Sequence, residues 1–187
     1  GDDLADGLGT GLKDAIDARA GNPQGNIVIL GNYTVKSQTV LVDQPVTIAG
    51  LSDASLTYTG QVCNQPMLGI TAGATLRSLN INDGACATTR RDLIAVNSAA
   101  NVTIESNDLI NSANAVTVAS NSGNLLLRFN HIRGNSGYAA QVAAGAGGGR
   151  LEALANNLYG NRSGAQVECN QSGRVDHNFW GTGGVAA

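Results

Sequence analysis

Apolar residues recur along this chain in short alternating runs, not in helical stripes. Five segments share one apolar position: "LRSLNIND" (76–83), "IESNDLIN" (104–111), "LRFNHIRG" (127–134), "LANNLYG" (154–160) and "HNFWG" (177–181). That position is Ile81, Leu109, Ile132, Leu158 and Phe179, at intervals of 28, 23, 26 and 21 residues. Between them fall "MLGI" (67–70), "LIAV" (93–96), "AVTV" (115–118), "AAQV" (139–142) and "AQVE" (165–168). Their last apolar residues are Ile70, Val96, Val118, Val142 and Val167, spaced by 26, 22, 24 and 25. Two apolar registers with one period predict two or more strands in each coil of a solenoid. The Leu-Asn signature of a leucine-rich repeat is absent, and no segment inside the repeat has helical periodicity. Gly/Asn turns of unequal length fit a parallel β-helix, whose turns can expand without disturbing the stack. The expected fold is therefore all-β, a solenoid of about seven coils of roughly 21–28 residues, some ~35 Å long.

Upstream, "GNIVILGNYTV" (25–35) and "QTVLVDQPVTIAG" (38–50) supply the first coils, and "TGLKDAIDARAG" (10–21) reads as a short amphipathic capping helix. Thr10 is its expected N-cap, Leu12 and Ile16 share one face, and Gly21 ends it. An open sheet end exposes unpaired backbone, so a cap is expected there. The division is one domain, 1–187: helix 10–21, coils 25–181 and tail 182–187.

Stacking turns the alignment into a map of rows. Asn107, Asn130 and Asn156 share a position beside a turn and form an expected internal amide ladder, with His177 in their place in the last coil. The outward row beside it reads Asn80, Asp108, His131, Asn157, Asn178. Two positions on lie Asn82, Ile110, Arg133, Tyr159, Trp180. This register turns Phe179 inward and Trp180 outward. The candidate ligand face is then Asp108, His131, Arg133, Asn157, Tyr159, Asn178 and Trp180, since sugar C–H faces stack on rings while hydroxyls take polar partners. The competing reading, which the terminal position favours, packs Trp180 under "GTGGVAA" as an end cap. A third outward row, Arg77, Glu105, Arg128, reads as a surface ion-pair ladder.

Cys63 and Cys86 each precede an equivalent strand, so they lie in the same loop of neighbouring coils, and a disulfide between them is expected. It would imply an oxidising compartment. Cys169 aligns with Ala144, Ser120, Ser98 and Ala72, which predicts a buried core thiol. Asp108, His131 and Arg133 are the one group with base-plus-cation character and the weak catalytic candidates. No Cys/His spacing resembles a zinc site, no carboxylate cluster suggests calcium, and no cofactor is expected.

A net charge of −3 with scattered Lys and Arg gives no footprint for nucleic acid. No apolar run approaches a membrane span. The chain opens at Gly1 with no signal-peptide pattern, and reads as a mature or trimmed fragment.

"GLKDAIDARAGN…NIVILGNYTV…PVTIAG", with the repeated "N-x-[ILF]-x-G" and the final "NFWG", resembles bacterial right-handed parallel β-helix proteins of the carbohydrate-binding and sugar-hydrolase, pectin-lyase-like type. The resemblance covers most of the chain and implies a right-handed coil, a secreted, periplasmic or cell-surface location, and polysaccharide or another surface component as partner. The paired Asp motifs and Gly-His-Gly of polygalacturonases, the Arg-x-Pro-x-x-Arg of a large pectate lyase group and the Asp-Pro-His-Glu of alginate epimerases are missing. The expected function is a glycan-binding, non-catalytic module. The alternatives are a structural or adhesive stalk module of a larger surface protein and a polysaccharide lyase or glycosidase.

Overall fold

A computed structural model describes residues 11–22, 25–36, 39–86, 91–119, 122–143, 150–161, 167–169 and 173–181. They form a parallel β-solenoid. Its opening coil is β1 (Gly25–Val35), and the first complete turn is β2 (Val40–Val42) with β3 (Val46–Tyr58). Four turns of three strands follow. They are β4 (Leu68–Ile70), β5 (Ala74–Arg77) and β6 (Asn80–Asp83); then β7 (Ile94–Val96), β8 (Val102–Glu105) and β9 (Asp108–Ile110). Next come β10 (Val116–Val118), β11 (Leu125–Arg128) and β12 (His131–Arg133), then β13 (Ala140–Val142), β14 (Leu151–Leu154) and β15 (Asn157–Tyr159). The last coil has β16 (Val167–Cys169), β17 (Gly173–Asp176) and a single bridge from Phe179 to Asn157. Complete turns therefore number about five, fewer than the seven the repeat count predicts, because among the described residues the opening coil contributes only β1 and the last coil ends in a single bridge.

Every described strand pairing is parallel. One sheet stacks the first strand of each coil, β16-β13-β10-β7-β4-β2. The other joins the second and third strands through β3, whose first half pairs with β5 and whose second half pairs with β6. Later coils break this bend at one residue each, with positive φ: Ser78, Ser106, Phe129, Ala155 and His177, all between 52° and 57°. The column Ile81, Leu109, Ile132, Leu158 stacks as the sequence predicts and is fully buried, as is Ile70 of the column Ile70, Val96, Val118, Val142.

The helix is shorter than expected. It runs Leu12–Asp17, and its N-cap is Gly11, which has no side chain to offer; Thr10 lies outside the described residues. Leu12 and Ile16 are buried as the pattern requires, and Gly21 follows at φ 83°. The Leu12 amide donates to the Tyr33 hydroxyl at 2.8 Å, and Lys13 pairs with Asp17 and Asp43, which ties the helix to the opening coils.

Candidate functional site

The corner between β11 and β12, and its counterparts in the other coils, carries both the strongest polar network and the most exposed aromatic rings. Inside the bend the expected amide ladder is present. The Oδ1 of Asn130 accepts from the backbone N–H and the side-chain amide of Asn107, at 2.9 and 3.1 Å, while its own amide donates to Ile104 O and to Asn156 Oδ1. Asn107 in turn receives the Leu79 N–H at 3.0 Å and donates to Leu76 O. Each amide thus satisfies backbone groups that the bend would otherwise strand, at about 1–3 kcal/mol apiece.

In the last coil the ladder residue is Asn178, not His177. Its Oδ1 accepts from Asn156 N at 2.7 Å and Asn156 Nδ2 at 2.9 Å, and its amide donates to Ala153 O. This moves the coil by one residue from the expected alignment. Phe179 bridges Asn157 in the outward row and is 62% exposed, whereas Trp180, next along in the position of Leu158, is half-buried against the core. Trp180 is the inward closing ring and Phe179 the outward one, reversing the expected orientations. The slip comes from the glycines: aligning Gly181 with Gly160 gives an interval of 21, but the Asn156–Asn178 interval is 22. Here Gly181 falls beside Tyr159, where a Cβ would lie 2.8 Å from the Tyr159 Cβ.

A similar shift affects β16. Val167 pairs with Ala140 and Cys169 with Val142, so Cys169 continues the Val column instead of the Ala144 row. The Cys169 side chain lies outside the described residues, as do Ser120 and Ala144 of that row.

Outside the bend two columns face solvent. The first holds the positive-φ residues Ser106, Phe129, Ala155 and His177; the second holds Asp108, His131, Asn157 and Phe179. Phe129 is 59% exposed, and His131 and His177 are exposed too. Phe129 and Phe179 sit on one diagonal and the two histidines on the other, with the smaller Ala155 and Asn157 as the floor between. They enclose a groove of about 420 Å³. Toward the N-terminus the same corner has a second groove of about 370 Å³, lined by Ser52, Asp53, Ser78, Asn80, Ser106 and Asp108. One corner is thus hydroxyl-rich at one end and aromatic at the other.

Charges at the corner are largely matched. Arg133 Nη2 donates to Asp108 Oδ2 at 3.0 Å, and Arg128 Nε to Glu105 Oε2 at 2.8 Å, which realises one rung of the expected ion-pair ladder. Arg174 pairs with Asp176 at 2.9 Å; this hydrogen bond outweighs desolvation and, helped by His177, holds the Asp176 carboxyl below its ordinary value. Two acceptors at the corner, Asp108 Oδ1 and Asn157 Oδ1, are shielded from solvent and have no hydrogen-bond partner among the described residues.

Of the expected face, Asp108, His131 and Asn157 share the second column. Arg133 and Tyr159 lie on the next outward row, while Asn178 and Trp180 turn inside. Phe129, His177 and Phe179 were not among the sequence-predicted ligand residues. A readable signal existed for Phe179, since "N-x-apolar" repeats as Asn107-Asp-Leu, Asn130-His-Ile, Asn156-Asn-Leu and Asn178-Phe-Trp, which puts Phe179 outside and Trp180 inside. A second internal ladder, Ser112, Asn135 and Asn161, lies five residues beyond the first, with Asn135 Oδ1 accepting from the Ser112 hydroxyl at 2.6 Å.

Cys63 and Cys86 form the expected disulfide, Cα–Cα 5.6 Å, between loops of adjacent coils. Arg91 braces the same loops by donating to Val62 O and Pro66 O over the Tyr58 ring. The crosslink is compatible with a non-cytoplasmic protein. Among the described residues no three His, Cys, Asp or Glu side chains gather closely enough to hold a metal ion, and no helix is long and apolar enough to cross a membrane. No protein-family model matches the chain, and neither a curated protein nor a solved structure matches it.

Proposed function

We propose that the chain is a glycan-binding β-helix module of a secreted, periplasmic or cell-surface protein, and that the glycan lies on the aromatic end of the corner groove. The observation that carries this reading is the pair Phe129 and Phe179. Both are more than half exposed, and they bracket Asn157 from opposite sides of one groove. They are two coils apart, about 9.6 Å along the stack at the usual ladder spacing, and in adjacent columns, which leaves room for sugar rings over the Ala155–Asn157 floor. Phe129 adds a second reason. A bulky residue at φ 57° costs on the order of 1 kcal/mol that glycine would avoid, and that cost is understandable if the outward ring has a use.

The test is titration with oligosaccharides, read by calorimetry. Phe129→Ala and Phe179→Ala are each expected to weaken binding about tenfold, and Tyr159→Ala on the neighbouring row to weaken it less. Equal affinity in wild type and both Phe variants defeats the reading.

A structural or adhesive module is the second reading, favoured by one observation. Val28, Leu30 and Leu51 are each more than half exposed, and Leu30 pairs with Leu51 in the first two coils, which makes an apolar surface of its own. It predicts concentration-dependent association by sedimentation, lost in Leu30→Ser. The Asp108–His131–Arg133 group gives a lyase or glycosidase reading less support, because one Asp108 oxygen is already held by Arg133.

A further inference from the structure

We infer that His131 and His177 make the aromatic groove a proton-gated site for carboxylated sugars, which it holds more tightly as the surroundings turn from neutral to mildly acidic. This rests on the glycan reading above and adds a ligand class and the condition under which it is held. Both imidazoles are exposed, and both line the groove of about 420 Å³ that Phe129 and Phe179 bracket. No carboxylate lines that groove; the remaining residues are Asn130, Asn156, Asn157 and Ala155. His177 turns Nδ1 to Asp176 Oδ1 at 3.0 Å, which leaves Nε2 for a ligand.

Among the described residues the fixed charges around the two rings cancel. Beside His131 stand the pair Arg133 and Asp108 and, on the strands before the bend, the pair Arg128 and Glu105. Beside His177 stand Arg174 and Asp176 and, one coil earlier, Arg150 and Glu152. Guanidinium and carboxylate side chains as classes keep their charge between about pH 5 and 8, whereas imidazole changes its own there. The hydrogen bond from Arg174 holds the Asp176 carboxyl below its ordinary value, so Asp176 stays an anion at the acid end of that range. Asp176 is shared by Arg174 and His177, and the trio carries one net positive charge once His177 is protonated. Acidification therefore adds up to two positive charges to a groove wall that is otherwise balanced. A sugar carboxylate remains ionised through the same range and gains from them, and a neutral sugar does not.

The experiment pairs cellohexaose and mannohexaose with their uronate counterparts, β-1,4-linked hexaglucuronate and hexamannuronate, by calorimetry at low salt at about pH 5.5 and about pH 7.5. Wild type is expected to bind at least one uronate hexamer about tenfold more tightly at the lower pH, and to bind any neutral hexamer with affinity that changes less than about twofold. By linkage the uronate draws protons onto the rings, so its binding heat near neutrality should vary with the ionisation heat of the buffer, corresponding to an uptake of about one proton. In the His131→Gln/His177→Gln double variant the ratio of uronate affinities at the two pH values should fall to within about twofold of unity. Thermal melts of both proteins at each pH check that the last coils remain folded. Uronate affinity that does not rise on acidification, a rise of the same size for the neutral hexamers, or a rise kept by the double variant overturns the inference while glycan binding stands. Binding of a neutral hexamer with no uronate bound at either pH does the same. Saturable binding of none of the four at either pH overturns both.

Discussion

Phe129 and Asn130 are neighbours in the chain and face opposite sides of the same corner. Asn130 is wholly buried and occupies a column that repeats as Asn in four successive coils, through Asn107, Asn156 and Asn178. Phe129 is exposed, in a column that changes from Ser106 to Phe129 to Ala155 to His177. The backbone conformation is the same at every one of those outer positions, so the turn does not decide which side chain stands there. Inside, each coil must satisfy the backbone groups of the coil before it, and one residue type does that best. Outside, nothing in the stack constrains the residue. Where the repeat is constant the residues hold the fold, and where it varies the side chains are free to meet a ligand.

The largest effect should come from breaking the inner side. Asn130→Leu keeps similar bulk but strips four hydrogen bonds and strands the Asn107 N–H. The expected loss is about 3 kcal/mol, seen as a fall of roughly 10 °C in the thermal midpoint. Breaking the loop clamp by Cys63→Ser with Cys86→Ser should cost a similar ~3 kcal/mol, for a 23-residue separation. Because the clamp lies away from the corner, denaturant curves should move while glycan affinity at 25 °C does not.

Changes on the outer side should invert this pattern. Phe129→Gly removes the ring and relieves the positive-φ strain, so stability should hold or rise by up to about 1 kcal/mol while binding weakens about tenfold. The smallest effect belongs to the ion-pair rung. Glu105→Gln should destabilise by ~1 kcal/mol or less, and the difference from wild type should shrink in high salt.

The coils were legible because burial alternates with period two and each inward column is filled by Ile, Leu or Val; Ile81, Leu109, Ile132 and Leu158 needed nothing else. The inner amide ladder was legible at Asn107, Asn130 and Asn156 for the same reason. The register of the last coil was not, because hydrophobicity there pointed the wrong way. Phe179 is apolar yet outward, Trp180 is inward, and the glycines offered an interval one residue shorter than the amides. Asn135 and Asn161 were passed over because turn residues are commonly Asn for local reasons, and only the stack shows that these reach the next coil. Phe129 was hidden among small residues of a turn, where hydrophobic patterning assigns no face at all. Part of the candidate site thus depended on a register that apolar spacing alone cannot set.

The most direct test of the account is a paired measurement on the Phe129→Ala/Phe179→Ala double variant, in which oligosaccharide affinity and thermal midpoint are taken on the same preparation. The account predicts a loss of about a hundredfold in affinity with a midpoint within a few degrees of wild type, since both rings stand outside the core. Unchanged affinity, or a loss of affinity matched by collapse of the midpoint, would contradict it.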